Sequence, residues 1–302
     1  MEAILELAER QGYVTTAQAR ALGGHEHTLG RLVEHGKLIR TLRGVFLHPH
    51  PRTPEAEHAL VTRAMLDHDR WSVASHHSSL ALHGLALFGV PWRQVHVADP
   101  RKSSRRHANI HRHVLRDGDP VVDVGEHKAL GLPLSLCLTA ARFGVVSGLV
   151  SMDHALHQEL CTVDDLRAVI DSGRLRRGIG AARRAVALAD GRAESPGESR
   201  LRAIIAESPF AYDLQVNVGG PGEGYRVDLL VDGCVVVEYD GEEKYEGLEG
   251  KVALIAEKRR EDWIRSGRYG FMRVMKDELR HPVTVRRILG TKVVEARAGR
   301  AA

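Results

Sequence analysis

Two carboxylates in the last third of the chain, Asp228 and Glu238, are spaced so that they could hold one metal ion. They lie in YRVDLLVDGCVVVEYDG, where two apolar runs flank Asp232-Gly233, a hairpin signal. Two registers compete. A two-residue turn pairs Val231 with Cys234 and sets Asp228 against Val237. A three-residue loop pairs Val231 with Val235 and gathers Val227, Leu229, Val231, Val235, Val237 and Tyr239 on one face. It then leaves Asp228 opposite Glu238, and Arg226 opposite Asp240. Burial of a uniform face favours the second register, because a one-residue slip mixes the faces. Like charges directly opposite destabilise a strand pair, so Asp228 and Glu238 ask for a cation. Mg²⁺ (or Mn²⁺) suits such a pair, with waters completing its shell. The plainer reading is an acidic hairpin edge that resists aggregation through its charge.

The elements around this hairpin decide what else can reach it. ESPGESRLRAIIAES predicts a helix with Ser195 as N-cap, Pro196 at the first position and Glu198 closing a capping box. Glu198 also lies on the side that Leu201 and Ile205 bury, which gives its carboxylate a second meaning. Downstream, a helix from about Lys251 carries Lys258, Arg259 and Arg260. RYGFMRVMKDEL then reads as a strand with Phe271 and Arg273 on one face.

Helix with Glu, hairpin with Asp and Glu, basic helix, strand: this order resembles the restriction-endonuclease-like (PD-(D/E)xK) plan. In detail it is similar to very-short-patch-repair-type nuclease domains over roughly residues 194–290. The resembling residues are Glu198, QVNV at 215–218, RVD ending at Asp228, VVEYDG at 236–241, Lys244-Tyr245 and EKRREDWIRSG at 257–267. The resemblance implies Mg²⁺ on Asp228 and Glu238, Glu198 completing or orienting the site, and phosphodiester hydrolysis of DNA. One position departs from the pattern. Asp240 stands where a lysine is usual, so Lys244 or Lys258 would supply the ammonium, or Asp240 becomes a further ligand.

The opening of the chain has a different logic. Residues 2–11 place Ile4, Leu5, Leu7 and Ala8 at helical spacing, Thr15 and Thr16 offer caps for a short helix, and a third helix begins near His25. There Leu29, Leu32 and Val33 turn inward while Thr28, Arg31, Glu34 and His35 face out. IRTLRGVFLH follows as an extended pair turning at Arg43-Gly44. Three helices and a hairpin make the plan of a winged helix-turn-helix, whose third helix enters a major groove while the wing touches the backbone. Thr28, Arg31, Lys37, Arg40 and Arg43 are the expected DNA contacts. A small helical domain with solvated arginines is the alternative. The stretch GYVTTAQARALG through GKLIRTLRGVFL resembles the AbiEi-type antitoxin family, and the resemblance continues through SHHSSLALHGL and residues 95–166. It implies DNA binding, autoregulation and a toxin partner.

Between these ends lies RKSSRRHANIHRHVLR (101–116), with six Lys and Arg and no acid. It reads as a solvated face or as a phosphate-contacting surface through Arg105 and Arg106. RQVHVADP and IHRHV read as strands. CLTAARF, VVSGLVSMDHALHQEL and VDDLRAVID read as helices. Seventeen of the 18 histidines precede residue 194. The pairs His25/His27, His48/His50, His76/His77 and His111/His113 each lack a third ligand at zinc-site spacing, so no metal is expected among them.

Composition narrows the rest. The chain has 302 residues, 43% hydrophobic and 27% charged, with a formal net charge of +4, which excludes wholesale disorder. That charge divides into +5 over residues 1–193 and −1 over 194–302, with a Gly/Ser/Pro-containing break at DGRAESPGE. Three separated cysteines form no disulfide framework, and no apolar run reaches a membrane span. We therefore expect a cytoplasmic α/β (α+β) multidomain protein that binds DNA and no membrane. Its parts are a winged helix over 1–50, an α/β middle domain over 51–190 and a mixed sheet flanked by helices over 191–302. A regulator or antitoxin whose nuclease-like domain is inactive scaffold is the rival expectation, and a toxin partner or homodimer stays open.

Overall fold

The computed structural model describes residues 1–100, 105–107, 109–219, 224–241, 260–261, 263–264, 266 and 269–301. It is a mixed α/β architecture with three sheets. The chain divides into two compact units, Met1–Ser151 with Cys161–Val186, and Met152–Leu160 with Ala187–Ala302.

The first unit opens with α1 (Glu2–Gln11), β1 (Tyr13–Thr15), α2 (Thr16–Ala21), α3 (Glu26–Glu34), β2 (Ile39–Leu42) and β3 (Val45–Leu47). The predicted helices form for the predicted reasons. Thr15 Oγ1 accepts the Gln18 amide at 3.2 Å, and Gln18 Oε1 accepts the Thr15 amide at 2.8 Å, a closed capping box. Ile4, Ala8, Ala19, Leu29, Leu32, Leu38 and Phe46 then bury together. Strand β1 had no signal in its three residues, yet it pairs antiparallel with β3, giving the order β1-β3-β2. The wing is therefore held on both edges of β3. Leu42, Val45 and Leu47 pack in a second core with Ala64 and Met65 of α4 (Pro54–His68).

A six-stranded sheet follows: β4 (Val73–Ala74), β5 (Val95–Asp99), β6 (Arg105–His107), β7 (Ile110–Val114), β8 (Val121–Val124) and β9 (His127–Leu130), in the order β6-β7-β5-β4-β9-β8. The β5–β7 and β4–β9 pairs are parallel. Helices α5 (His76–Leu82), α6 (Leu132–Phe143), α7 (Val145–His157), α8 (Val163–Asp171) and α9 (Ile179–Leu188) complete this part of the chain.

The second unit contains α10 (Pro196–Ile205), β10 (Tyr212–Val218), β11 (Tyr225–Val231), β12 (Val235–Asp240), β13 (Gly270–Met275) and α11 (Pro282–Ala301). Strands β10, β11 and β12 are antiparallel neighbours, and β12 runs parallel to β13. The hairpin takes the three-residue loop, pairing Val231 with Val235 and Leu229 with Val237. Asp232 and Gly233 both have positive φ, 53° and 64°, which an Asp-Gly sequence tolerates.

The apolar face is less uniform than the register predicts. Leu229, Val231, Val235 and Val237 bury against Leu201, Ile205, Leu289 and Val293, with Tyr239 packed alongside. Val227 joins a different cluster with Val218, Val236, Ile264 and Phe271. The cause is local. Gln215, in the neighbouring strand opposite Asp228, has φ of +52° and interrupts the ladder between Leu214↔Leu229 and Val216↔Val227.

Helix α10 lies against β12 through a glycine. A Cβ on Gly197 would fall inside the Tyr239 ring, so only the bare backbone allows this approach. Gly197→Ala is expected to lower the stability of this unit by about 1–3 kcal/mol, the usual cost of overpacking, read as a lower urea midpoint. An unchanged midpoint would mean the helix does not rest on Tyr239.

Candidate nucleic-acid interface and carboxylate cluster

The N-terminal unit presents its cations on α3 and the wing. Arg31 on α3, Lys37 in the turn after it, Arg40 in β2 and Arg43 at the β2–β3 turn are all exposed. None of the four pairs with a carboxylate among the described residues. Glu2, Glu6 and Glu9 sit on α1, and α3 carries Glu26 and Glu34 beside Arg31, whereas Lys37, Arg40 and Arg43 follow one another around the wing. Thr28 also takes part in the start of its own helix. Its hydroxyl accepts the His25 amide at 3.3 Å at the start of α3 and keeps its own hydrogen to donate. Arg105 and Arg106 belong to β6, paired in register with Arg112 and His111. Their side chains lie outside the described residues.

In the second unit, Glu198 and Glu238 lie near enough to Asp228 for their charges to act on it, although among the described residues the three carboxylates do not close into a ligand cluster. Glu198 is 8% exposed in the first turn of α10. Ser195 Oγ accepts its amide at 3.1 Å as the N-cap. The reciprocal half of the capping box is absent, because Glu198 Oε2 turns to the Glu194 amide and to Gln215 Nε2, each at 3.0 Å. Gln215 Oε1 in turn accepts Arg226 Nε at 2.6 Å. Burial raises the Glu198 carboxyl above its ordinary range, against these hydrogen bonds.

Asp228 Oδ2 accepts the Tyr239 amide at 2.9 Å. Burial pushes Asp228 up to about 6, and the nearby charges of Glu198 and Glu238 push the same way. Glu238 is 6% exposed and already has its cation. Arg260 forks onto both of its oxygens, one contact at 3.0 Å, and reaches the Arg226 carbonyl at 2.9 Å. Bidentate guanidinium pairing of this kind is strong and directional. The charge expected of a metal ion beside Glu238 is thus supplied by Arg260 in this structure.

The other expected pairings also resolve differently. Arg226 pairs with Glu194, and Asp240 lies 3.6 Å from Arg273, so Arg226 and Asp240 each have other partners. Lys244 and Lys258 lie outside the described residues. Reading the sequence missed Gln215 as a bridge and Arg260 as the answer to Glu238. The basic run at 258–260 was a signal for the second, but a run does not say which of its members turns inward.

Asp228→Asn follows as a test. A carboxyl whose pKa is raised on folding is bound to its proton more tightly in the native state, so stability falls as pH rises from about 4 through 6. Asn keeps an acceptor for the Tyr239 amide without the charge. The variant should gain on the order of 1 kcal/mol over the parent at pH 8 and nothing at pH 4. Equal effects at both pH values would contradict the raised carboxyl.

The histidines, set aside in sequence, converge. Strands β5 and β7 pair His96 with His111 and Ala98 with His113, so alternation puts all three rings on one face. His76 arrives from the start of α5 with φ of +51°, uncommon for a residue with a side chain. Its ring stacks on His113 at 4.1 Å between centroids. One nitrogen from each of His76, His96 and His113 lies within 4.8 Å of the others. His96 Nδ1 is 3.1 Å from His113 Nε2, and His96 Nε2 is 3.0 Å from Gln94 Oε1. Burial, and then the neighbouring imidazoles, lower His76 and His96 well below the ordinary range and His113 to about 3. One member of each pair, His76 and His113, thus meets His96 in space, while His77 and His111 stay outside the cluster. The signal was the matched alternation of VHVAD and IHRHV.

A family match bears on the first part of the chain. Residues 2–48 match the family described as a transcriptional regulator, AbiEi antitoxin. The N-terminal segment is therefore similar to the AbiEi-type regulator domain. Uncharacterized protein Rv2248 of Mycobacterium tuberculosis (strain ATCC 25618 / H37Rv) is 35% identical over 102 residues, 33% of this chain. Uncharacterized protein MT2308 of M. tuberculosis (strain CDC 1551 / Oshkosh) matches to the same extent. The matched stretch spans 38% of the length of each relative. No helix among the described residues is long and apolar enough to cross a membrane.

Proposed function

We propose that this protein is a DNA-binding transcriptional regulator of the AbiEi antitoxin type, acting in the cytoplasm. The observation that carries the reading is the N-terminal domain: its match to that family, with Arg31, Lys37, Arg40 and Arg43 exposed on the third helix and the wing. In this reading α3 enters the major groove, and the wing cations hold the phosphates that set its register. Arg105 and Arg106 add phosphate contacts. Residues 51–190 form a middle domain and residues 191–302 a restriction-endonuclease-like domain. A toxin is the protein partner this reading calls for.

A second reading is favoured by the nearness of Glu198 and Glu238 to Asp228. In it the C-terminal domain is a Mg²⁺-dependent endonuclease, with Asp228 and Glu238 as ligands and Glu198, Asp240 and Lys244 around them. As they stand, Asp228 and Glu238 do not offer Mg²⁺ two open carboxylates, because Arg260 holds Glu238. Cutting therefore requires that ion pair to open.

One experiment separates the readings. The full chain is incubated with duplex, single-stranded and mismatched DNA in Mg²⁺, Mn²⁺ or EDTA, beside Asp228→Ala and Glu238→Ala. Binding without strand breakage in any metal supports the regulator. Breakage that needs the metal and disappears in both variants supports the nuclease. Absence of binding at low salt overturns the regulator reading.

A further inference from the structure

We propose that His76, His96 and His113 form a binding site for a divalent transition metal of the zinc class, with one coordination position open to the adjoining cavity. The site is built by the sheet and the start of α5. His96 and His113 stand on adjacent strands in fixed parallel register, and His76 closes over them from the positive-φ position. Zinc takes imidazole nitrogens at about 2.0–2.1 Å, so tetrahedral ligands stand about 3.3 Å apart. His96 Nδ1 and His113 Nε2 are already at 3.1 Å, and the full set lies within 4.8 Å. Turning the His76 ring off its stack with His113 would bring the third nitrogen in.

The outer nitrogens support the same arrangement. Gln94 Oε1 is an acceptor, so His96 Nε2 carries the proton and Nδ1 turns its lone pair toward His113. His76 Nδ1 lies 3.2 Å from Ser75 Oγ. A carbonyl or hydroxyl holding the far nitrogen is the usual means of fixing the tautomer and orientation of a ligating histidine. Without metal, the proton of one ring bridges His96 and His113, and the ion would take its place.

The open side is defined by a cavity of about 550 Å³. His76 and His113 line it, together with Arg116, Arg142, Arg176 and Arg177. Three imidazoles and one open position are the ligand number of catalytic zinc rather than of a closed structural site. The guanidinium groups favour an anion, such as a carboxylate or phosphate, at the open position.

The test uses the full chain stripped of metal and titrated with Zn²⁺ and with Co²⁺. The expected result is one tight equivalent per chain and visible d–d bands of four-coordinate Co²⁺. His113→Gln and His76→Asn, the second chosen because Asn tolerates positive φ, each abolish the bands. Gln94→Ala leaves all three ligands in place and should weaken binding about 10–100-fold, with Gln94→Glu restoring it. This keeps the test decisive even where a ligand variant misfolds. His50→Gln, an exposed control, should bind as the parent does. Absence of Co²⁺ bands in the parent, or affinity unchanged in Gln94→Ala and in either ligand variant, overturns the site.

Discussion

Neutralising Arg31, Lys37, Arg40 and Arg43 together to alanine is expected to weaken duplex DNA binding about a thousandfold at about 0.1 M salt. It should also flatten the dependence of log K on log salt by about 3.6, at roughly 0.9 for each phosphate no longer neutralised. Both effects follow from counterion release. All four groups are exposed, and none pairs with a carboxylate among the described residues, so each is available to a phosphate. The same exposure means their loss should cost the fold little, within about 0.5 kcal/mol per site. Fluorescence anisotropy across a salt series reads both quantities, and thermal melting verifies the fold. A variant that binds with an undiminished salt slope would move the interface elsewhere, with Arg105 and Arg106 the next pair to change.

The largest stability effect is expected at Arg202. Its side chain is 2% exposed, and its guanidinium reaches Asp153, itself 1% exposed, and the Leu188 carbonyl. Asp153 also accepts the Asp190 amide at 2.9 Å, so this pair ties α10 to the segments before it within the second unit. Arg202→Ala strands a buried carboxylate and should cost about 3–5 kcal/mol. Replacing both partners with leucine removes two charges at once and should recover much of that loss, since a buried pair mainly offsets its own desolvation. Urea denaturation of the two singles and the double closes the cycle. A single-variant cost under about 1 kcal/mol would mean water reaches the pair.

What the sequence made legible was mostly local. Ser195 and Thr15 cap the helices expected of them, because N-capping depends on neighbouring residues alone. The hairpin register followed from the burial of one alternating apolar face. The misses lie where distant residues meet. Gln215 takes a positive φ opposite Asp228, and Val227 packs in a second core, neither of which a polar residue in an ordinary strand pattern announces. Glu238 looked unpaired until Arg260 arrived from 22 residues away. The histidine cluster needed His96, whose role appears only when β5 lies parallel to β7. Carboxylates and imidazoles could be counted in sequence, but their partners could not, because ion pairs and ligand sets are settled by tertiary register.

The most direct test of the central claim is amide hydrogen exchange of the full chain with and without bound duplex DNA. Docking through the winged helix predicts slowed exchange across α3 and the β2–β3 hairpin, residues 26–47, with α10 and β11 unchanged. Protection confined to 105–116, or to the second unit, would contradict it.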